Sequence, residues 1–150
     1  MAIVHRFSEA EHRIIHEAIG EAERTTSGEI RVFIEKECAD NVLDRAAFLF
    51  NRLGMDQTDA RNGVLIYLAT HSRKFAIIGD KGIHQKVGDD FWCNIRTEMQ
   101  HHFMLGDFIT GLKNGIQLTG DALSKYFPCL PEDKNELSDE IIYGDPGDRY

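Results

Sequence analysis

Cysteine is scarce and poorly arranged for chemistry. The chain has three, Cys38, Cys93 and Cys129, an odd number with no CxxC pair. That excludes a disulfide framework and a thiolate zinc site, and it implies a reducing compartment. Basic residues are the minority, 17 against 25 acidic, for a net charge of -8. Nucleic acid and anionic membrane are therefore poor partners, whereas cations are favoured. Long apolar runs are missing: none approaches the roughly 18 residues of a membrane-spanning helix. The N-terminal MAIVHRFSEAEHR turns charged at once, without the apolar core of a signal peptide. P-loop, nucleophile elbow, dinucleotide fingerprint and EF-hand loop are all absent, and no segment repeats. The expectation is a cytoplasmic protein with no membrane insertion and no nucleic-acid partner.

What remains is ample for one domain. At 150 residues, 42% hydrophobic and 28% charged, the chain can bury a sizeable core. Ser8 with Glu11 forms a capping box. Ile14, Ile15, Ala18, Ile19 and Ala22 follow at helical spacing, so a helix is predicted over 8–25. "EIRVFIEKE" alternates and reads as a strand, with Ile30, Val32 and Ile34 on one face. Asn41 caps a second helix that stops at Gly54. "GVLIYLA" is a continuous apolar run, hence a strand buried on both faces. "KFAII" returns after His71-Ser72-Arg73 as its hairpin partner. Two further helices follow, one opening near Asp89 and one capped by Asp107 and ending before Pro128. Phe91 and Trp92 are core anchors of the first of these, and Cys93 is read as packed beside them.

The order helix, strand, helix, strand, strand, helix, helix predicts an α/β fold. It is a three-layer α/β/α sandwich with a small mixed sheet of three to four strands and about four helices. Residues 1–131 form this domain. Residues 132–150, with seven acids and two bases, read as an acidic, partly disordered tail in which Glu140-Ile141-Ile142-Tyr143 can add a short edge strand.

The topology has a chemical consequence. The first two strands are parallel, so their starts share one end of the sheet, and the third, antiparallel, finishes there. Glu29 begins the first strand, Asp56 and Asp59 lie in the loop entering the second, and Asp80, Asp89 and Asp90 lie in the loop leaving the third. Singly, each is an ordinary turn or capping residue. Together they are carboxylates that raise each other's pKa unless a cation intervenes. Ca²⁺ takes about 6 to 8 oxygen ligands, and Gly79, Gly82 and Gly88 leave room for backbone carbonyls. Imidazole is represented nearby only by His84, so Ca²⁺ is preferred over Zn²⁺, with Mg²⁺ or Mn²⁺ as alternatives and one or two ions.

The stretches "SGEIRVFIE", "RNGVLIYLATHSRKFAIIGDKGI" and "GDFITGLKNGIQLTGDAL" resemble the TPM domain, a family named for thylakoid-lumen, photosystem-repair and acetylcholine-receptor-modulating members. The resemblance spans about residues 8–128. It implies an α/β/α sandwich with divalent-cation sites in the acidic loops, and a weak acid phosphatase activity in some plastid members. By position it favours Asp80, Asp89 and Asp90, then Asp56 and Asp59, then Glu29. Many members add a signal peptide and a membrane helix or Gly-rich tail. This chain reads instead as a stand-alone, soluble member of bacterial type. The family's Gly-Tyr-Gly after the third strand is here Gly79-Asp80-Lys81-Gly82.

Two histidine patterns carry less. His12 and His16 lack the Glu of HExxH and read as a surface or interface pair. Glu98 with His101 and His102 gives one E-x-x-H where a di-iron bundle needs two. Three functions follow. The first is a cation-binding module whose acidic loops are ordered by the ion and reported to a protein partner. The second is a metal-dependent phosphatase of low activity, with Arg61, Lys81 and Lys86 on the phosphate. The third is an interaction domain without metal.

Overall fold

Ser8 starts the fold as its sequence prescribes. Its hydroxyl accepts from the Glu11 amide at 3.2 Å, and the Glu11 carboxylate accepts from the Ser8 amide at 2.9 Å. The computed structural model describes residues 7–88, 90–129 and 141–144. Helices α1 (Glu9–Glu23), α2 (Val42–Arg52), α3 (Lys81–His84), α4 (Asp90–Met104) and α5 (Phe108–Tyr126) accompany strands β1 (Glu29–Glu35), β2 (Gly63–Ala69), β3 (Lys74–Gly79) and β4 (Ile141–Gly144). A 3-10 turn, Met55–Gln57, precedes β2. The sheet runs β3-β2-β1-β4, with β1 parallel to β2 and β4 and with β3 antiparallel to β2. The edge strand expected in the tail is β4. The remaining tail residues, 132–140 and 145–150, lie outside the described residues.

The sheet is covered on both faces. Ile30, Val32, Ile34, Val64, Ile66 and Leu68 meet Ile15 and Ile19 of α1, Ile95 and Met99 of α4, and Leu112 and Ile116 of α5. Phe33, Leu65 and Tyr67 meet Ala46, Leu49 and Phe50 of α2 on the other face. Each fully buried side chain of this size contributes about 1.5–3 kcal/mol of transfer free energy. The three-layer reading therefore holds.

Three details differ from expectation. β1 alternates in sequence but is buried at all seven positions, because its polar residues find partners. Arg31 donates to the Leu53 carbonyl at 3.2 Å, and Glu35 accepts from Tyr67 and from Arg45. The segment after β3 is not simply a loop, because Asp80 caps the single turn α3 through the Lys81 amide. Cys93 is exposed on α4 rather than packed. Its neighbours Trp92 and Ile95 take the inward positions of that turn.

Candidate functional site

Parallel pairing sets Glu29 beside Gly63, and the hairpin sets Gly79 beside Val64. The Asp80 amide then donates to the Gly63 carbonyl at 3.0 Å. Asp80 therefore stands at the end of the sheet where β1 and β2 begin, as the topology argument requires. It is 6% exposed.

The repulsion expected there is answered from within the chain. Arg61 grips Asp80 with two hydrogen bonds, Nε to Oδ2 at 2.6 Å and an Nη donor to Oδ1 at 2.9 Å. A bidentate guanidinium–carboxylate pair is among the stronger side-chain contacts. Hydrogen bonding to Asp80 raises the Arg61 pKa, with the charges of Asp80 and then Asp56 adding to it against desolvation. Arg61 reaches this position from a left-handed backbone, φ 52°. Its amide donates to the Thr58 carbonyl and its own carbonyl accepts from the Gly82 amide at 2.9 Å. Gly82 lies so close that a Cβ would fall 2.6 Å from the Arg61 carbonyl oxygen. The 55–62 loop and α3 are thus held together by one ion pair and one tight backbone approach.

Among the described residues, the other predicted carboxylates do not converge with Asp80 on one point. Asp56, half-buried on the 3-10 turn, accepts from the Gln57 side chain at 3.2 Å. Asp59 is exposed in the following turn, and Asp90 is exposed as the first residue of α4. Glu29 is 4% exposed, and its amide faces the Asn62 carbonyl at 3.4 Å. Asp89 lies outside the described residues. Among the described residues, no three His, Cys, Asp or Glu side chains stand close enough to hold one metal ion.

Asn62 is the rim residue that the sequence did not single out. Its side-chain amide donates to Ser27 Oγ at 3.2 Å and its backbone amide to Thr58 Oγ1. Its Oδ1 is buried with no hydrogen-bond partner. An Asn before Gly63 reads as a turn residue, so its burial gives no signal in sequence. Trp92 closes the rim from α4. A Cβ at Gly79 would fall 2.5 Å from the indole, and the His84 ring lies 6.4 Å away.

The histidine patterns behave as side-chain pairs. His102 meets Glu98 at 2.8 Å and Asn114 donates to the same carboxylate at 2.9 Å. The Asn114 bond first, then the His102 bond, hold the Glu98 carboxyl below the usual range. His12 lies 3.2 Å from the Tyr143 hydroxyl, tying α1 to β4.

The sequence profile of the TPM domain family matches residues 4–122. The BA42 protein of the psychrophilic bacterium Bizionia argentinensis has a similar structure, with TM-score 0.88 and 46% identity over 96% of this chain and all of that one. The N-terminal domain of a P. gingivalis protein superposes with TM-score 0.67 at 19% identity, over 81% of this chain and 78% of that one. The N-terminal domain of the cg2496 protein of Corynebacterium glutamicum superposes with TM-score 0.64 at 12% identity, over 91% and 80%. The last two show the fold alone. No curated protein matches the chain.

Proposed function

The chain belongs to the TPM domain family, and from that premise we propose that its acidic rim is a divalent-cation site that sets the conformation of the 55–62 loop and α3. Every candidate ligand there is an oxygen. Glu29, Asp56, Asp59, Asp80 and Asp90 supply carboxylates, Asp89 adds another by sequence position, and Asn62 offers an amide oxygen. An oxygen set of this kind suits Ca²⁺ first and Mg²⁺ or Mn²⁺ after it. The observation that carries the reading is the buried, unpartnered Oδ1 of Asn62 on a rim of carboxylates. A buried acceptor without a partner costs about 1–3 kcal/mol, which a nearby cation or its water would relieve. Without the ion, Arg61 serves as the countercharge of Asp80. With it, the cation and Arg61 compete for that carboxylate, and the loop responds in a way a protein partner can read.

Phosphatase chemistry has less support. Of the three cations assigned to a phosphoryl group, Arg61 is bound to Asp80 and Lys86 lies over the Phe127 ring at 5.8 Å. Lys81 alone remains uncommitted among them. For the compartment, an odd number of cysteines with no CxxC pair favours reducing conditions and hence the cytoplasm. Among the described residues no helix is long and apolar enough to cross a membrane.

Trp92 is the chain's only tryptophan, so its fluorescence reports on the rim. Calcium is expected to change that emission saturably, and Asp56→Asn with Asp59→Asn to weaken the response at least tenfold. An emission unchanged by calcium, magnesium and manganese would leave the interaction-domain reading in its place. Phosphomonoester turnover that needs the metal and is lost in Asp80→Asn would restore the phosphatase.

A further inference from the structure

The opposite end of the sheet has a feature of another kind. A cavity of about 200 Å³ opens between the β2–β3 hairpin and the α4–α5 corner. Leu68, Phe75, Phe103 and Phe108 form its apolar lining, and Arg73, Lys74 and Gln100 supply its polar groups. The rings are set at angles to one another. Phe75 meets Phe103 edge-on at 5.0 Å, and Phe108 lies tilted to Phe103 at 5.8 Å. Such walls suit an aromatic guest. A cavity of about 150 Å³ is known to take up benzene, so this volume admits one ring with a short chain.

The cationic side is specific in two ways. Lys74 already donates to the Cys38 carbonyl at 3.3 Å. Arg73 has no side-chain partner among the described residues. Arg73 also occupies a left-handed backbone position, φ 56°, where glycine is the unstrained choice. The other non-glycine residue with positive φ among the described residues is Arg61, whose side chain is committed to Asp80. Arg73 is exposed in the hairpin turn and lines the apolar cavity, so its guanidinium is open to an anion there although the chain as a whole carries a net charge of -8.

We propose that the cavity between the β2–β3 hairpin and the α4–α5 corner binds a small aryl carboxylate, ring inward among Phe75, Phe103 and Phe108, with its carboxylate on Arg73. The site is independent of the acidic rim at the other end of the sheet. The class combines what the two parts select. The apolar lining takes one ring, and the guanidinium favours an anion over its neutral amide.

The test uses 3-phenylpropionate and its neutral amide, each titrated into the full chain and followed in ¹H–¹⁵N correlation spectra. Saturable shifts at Leu68, Phe75, Phe103 and Phe108 are expected, with a Kd near or below about 1 mM, well within reach of about eleven heavy atoms. The amide should bind about threefold to tenfold more weakly. Arg73→Gly should melt at an unchanged or higher temperature and lose the preference for the carboxylate. Arg73→Gln, which alters no backbone requirement, should lose the same preference. Shifts that do not saturate or that fall elsewhere, equal binding of acid and amide, or a preference surviving in Arg73→Gln would overturn the assignment.

Discussion

A phenol buried against a carboxylate has one comfortable protonation state. The Tyr67 hydroxyl donates to Glu35, which Arg45 holds at 2.9 and 3.0 Å. Burial first, and then the bond to Glu35, push the Tyr67 pKa far above its ordinary value. The folded state therefore keeps a proton that the unfolded chain releases above pH about 10. Stability is full below that pH and falls as pH rises through it. Equilibrium unfolding between pH 8 and 11 should show this slope, and Tyr67→Phe should flatten it. Arg45→Ala should cost about 2–4 kcal/mol in chemical denaturation, because it strands a buried carboxylate. The residue scale is also where the sequence was least legible. The acidic positions could be brought to one rim by counting strands, but the Arg61–Asp80 pair could not. Nothing in Ala60-Arg61-Asn62 says that the arginine turns left-handed and aims at a residue 19 positions away. The burial of Asn62 was hidden for the same reason, since it depends on the loop's path and not on its composition.

Helices and strands were legible where a period or a cap existed. Ser8, Asn41 and Asp107 each cap the helix assigned to them. The apolar Ile141 and Ile142 gave β4 because such residues rarely sit in a solvated tail. A one-turn helix such as α3 has no period to detect, and β1 misled because its buried polar residues alternate as exposed ones would. Glycine placement shows how tightly α5 is fitted. A Cβ at Gly120 would fall 2.5 Å from Ala22 Cβ on α1 and 3.1 Å from its Cα. Alanine usually stabilises a helix interior relative to glycine, but here the neighbouring backbone would have to move. Gly120→Ala should therefore lower stability by about 1–3 kcal/mol, read as a drop in the urea midpoint at constant m. Asn41→Ala, which removes bonds of 2.9 and 3.2 Å to the Leu43 and Asp44 amides, should cost about 1 kcal/mol in the same experiment.

On the scale of the molecule, one sheet separates two kinds of chemistry. Glu29 and Asp80 stand where β1 and β2 begin. A basic-edged aromatic cavity lies where β2 turns into β3. Both follow from a single feature, the antiparallel third strand, which returns the chain to the acidic end and leaves the hairpin turn at the other. The central claim concerns the acidic end, and calorimetric melting with and without calcium tests it most directly. A ligand that binds only the folded state stabilises it by about 2.7 kcal/mol at a hundredfold excess over Kd. The wild-type melting temperature should therefore climb by several degrees with calcium, more than with sodium chloride of equal ionic strength, and the Asp56→Asn, Asp59→Asn protein should show little of that rise. A melting temperature indifferent to calcium, or a rise that sodium chloride or the double variant reproduces in full, would contradict it.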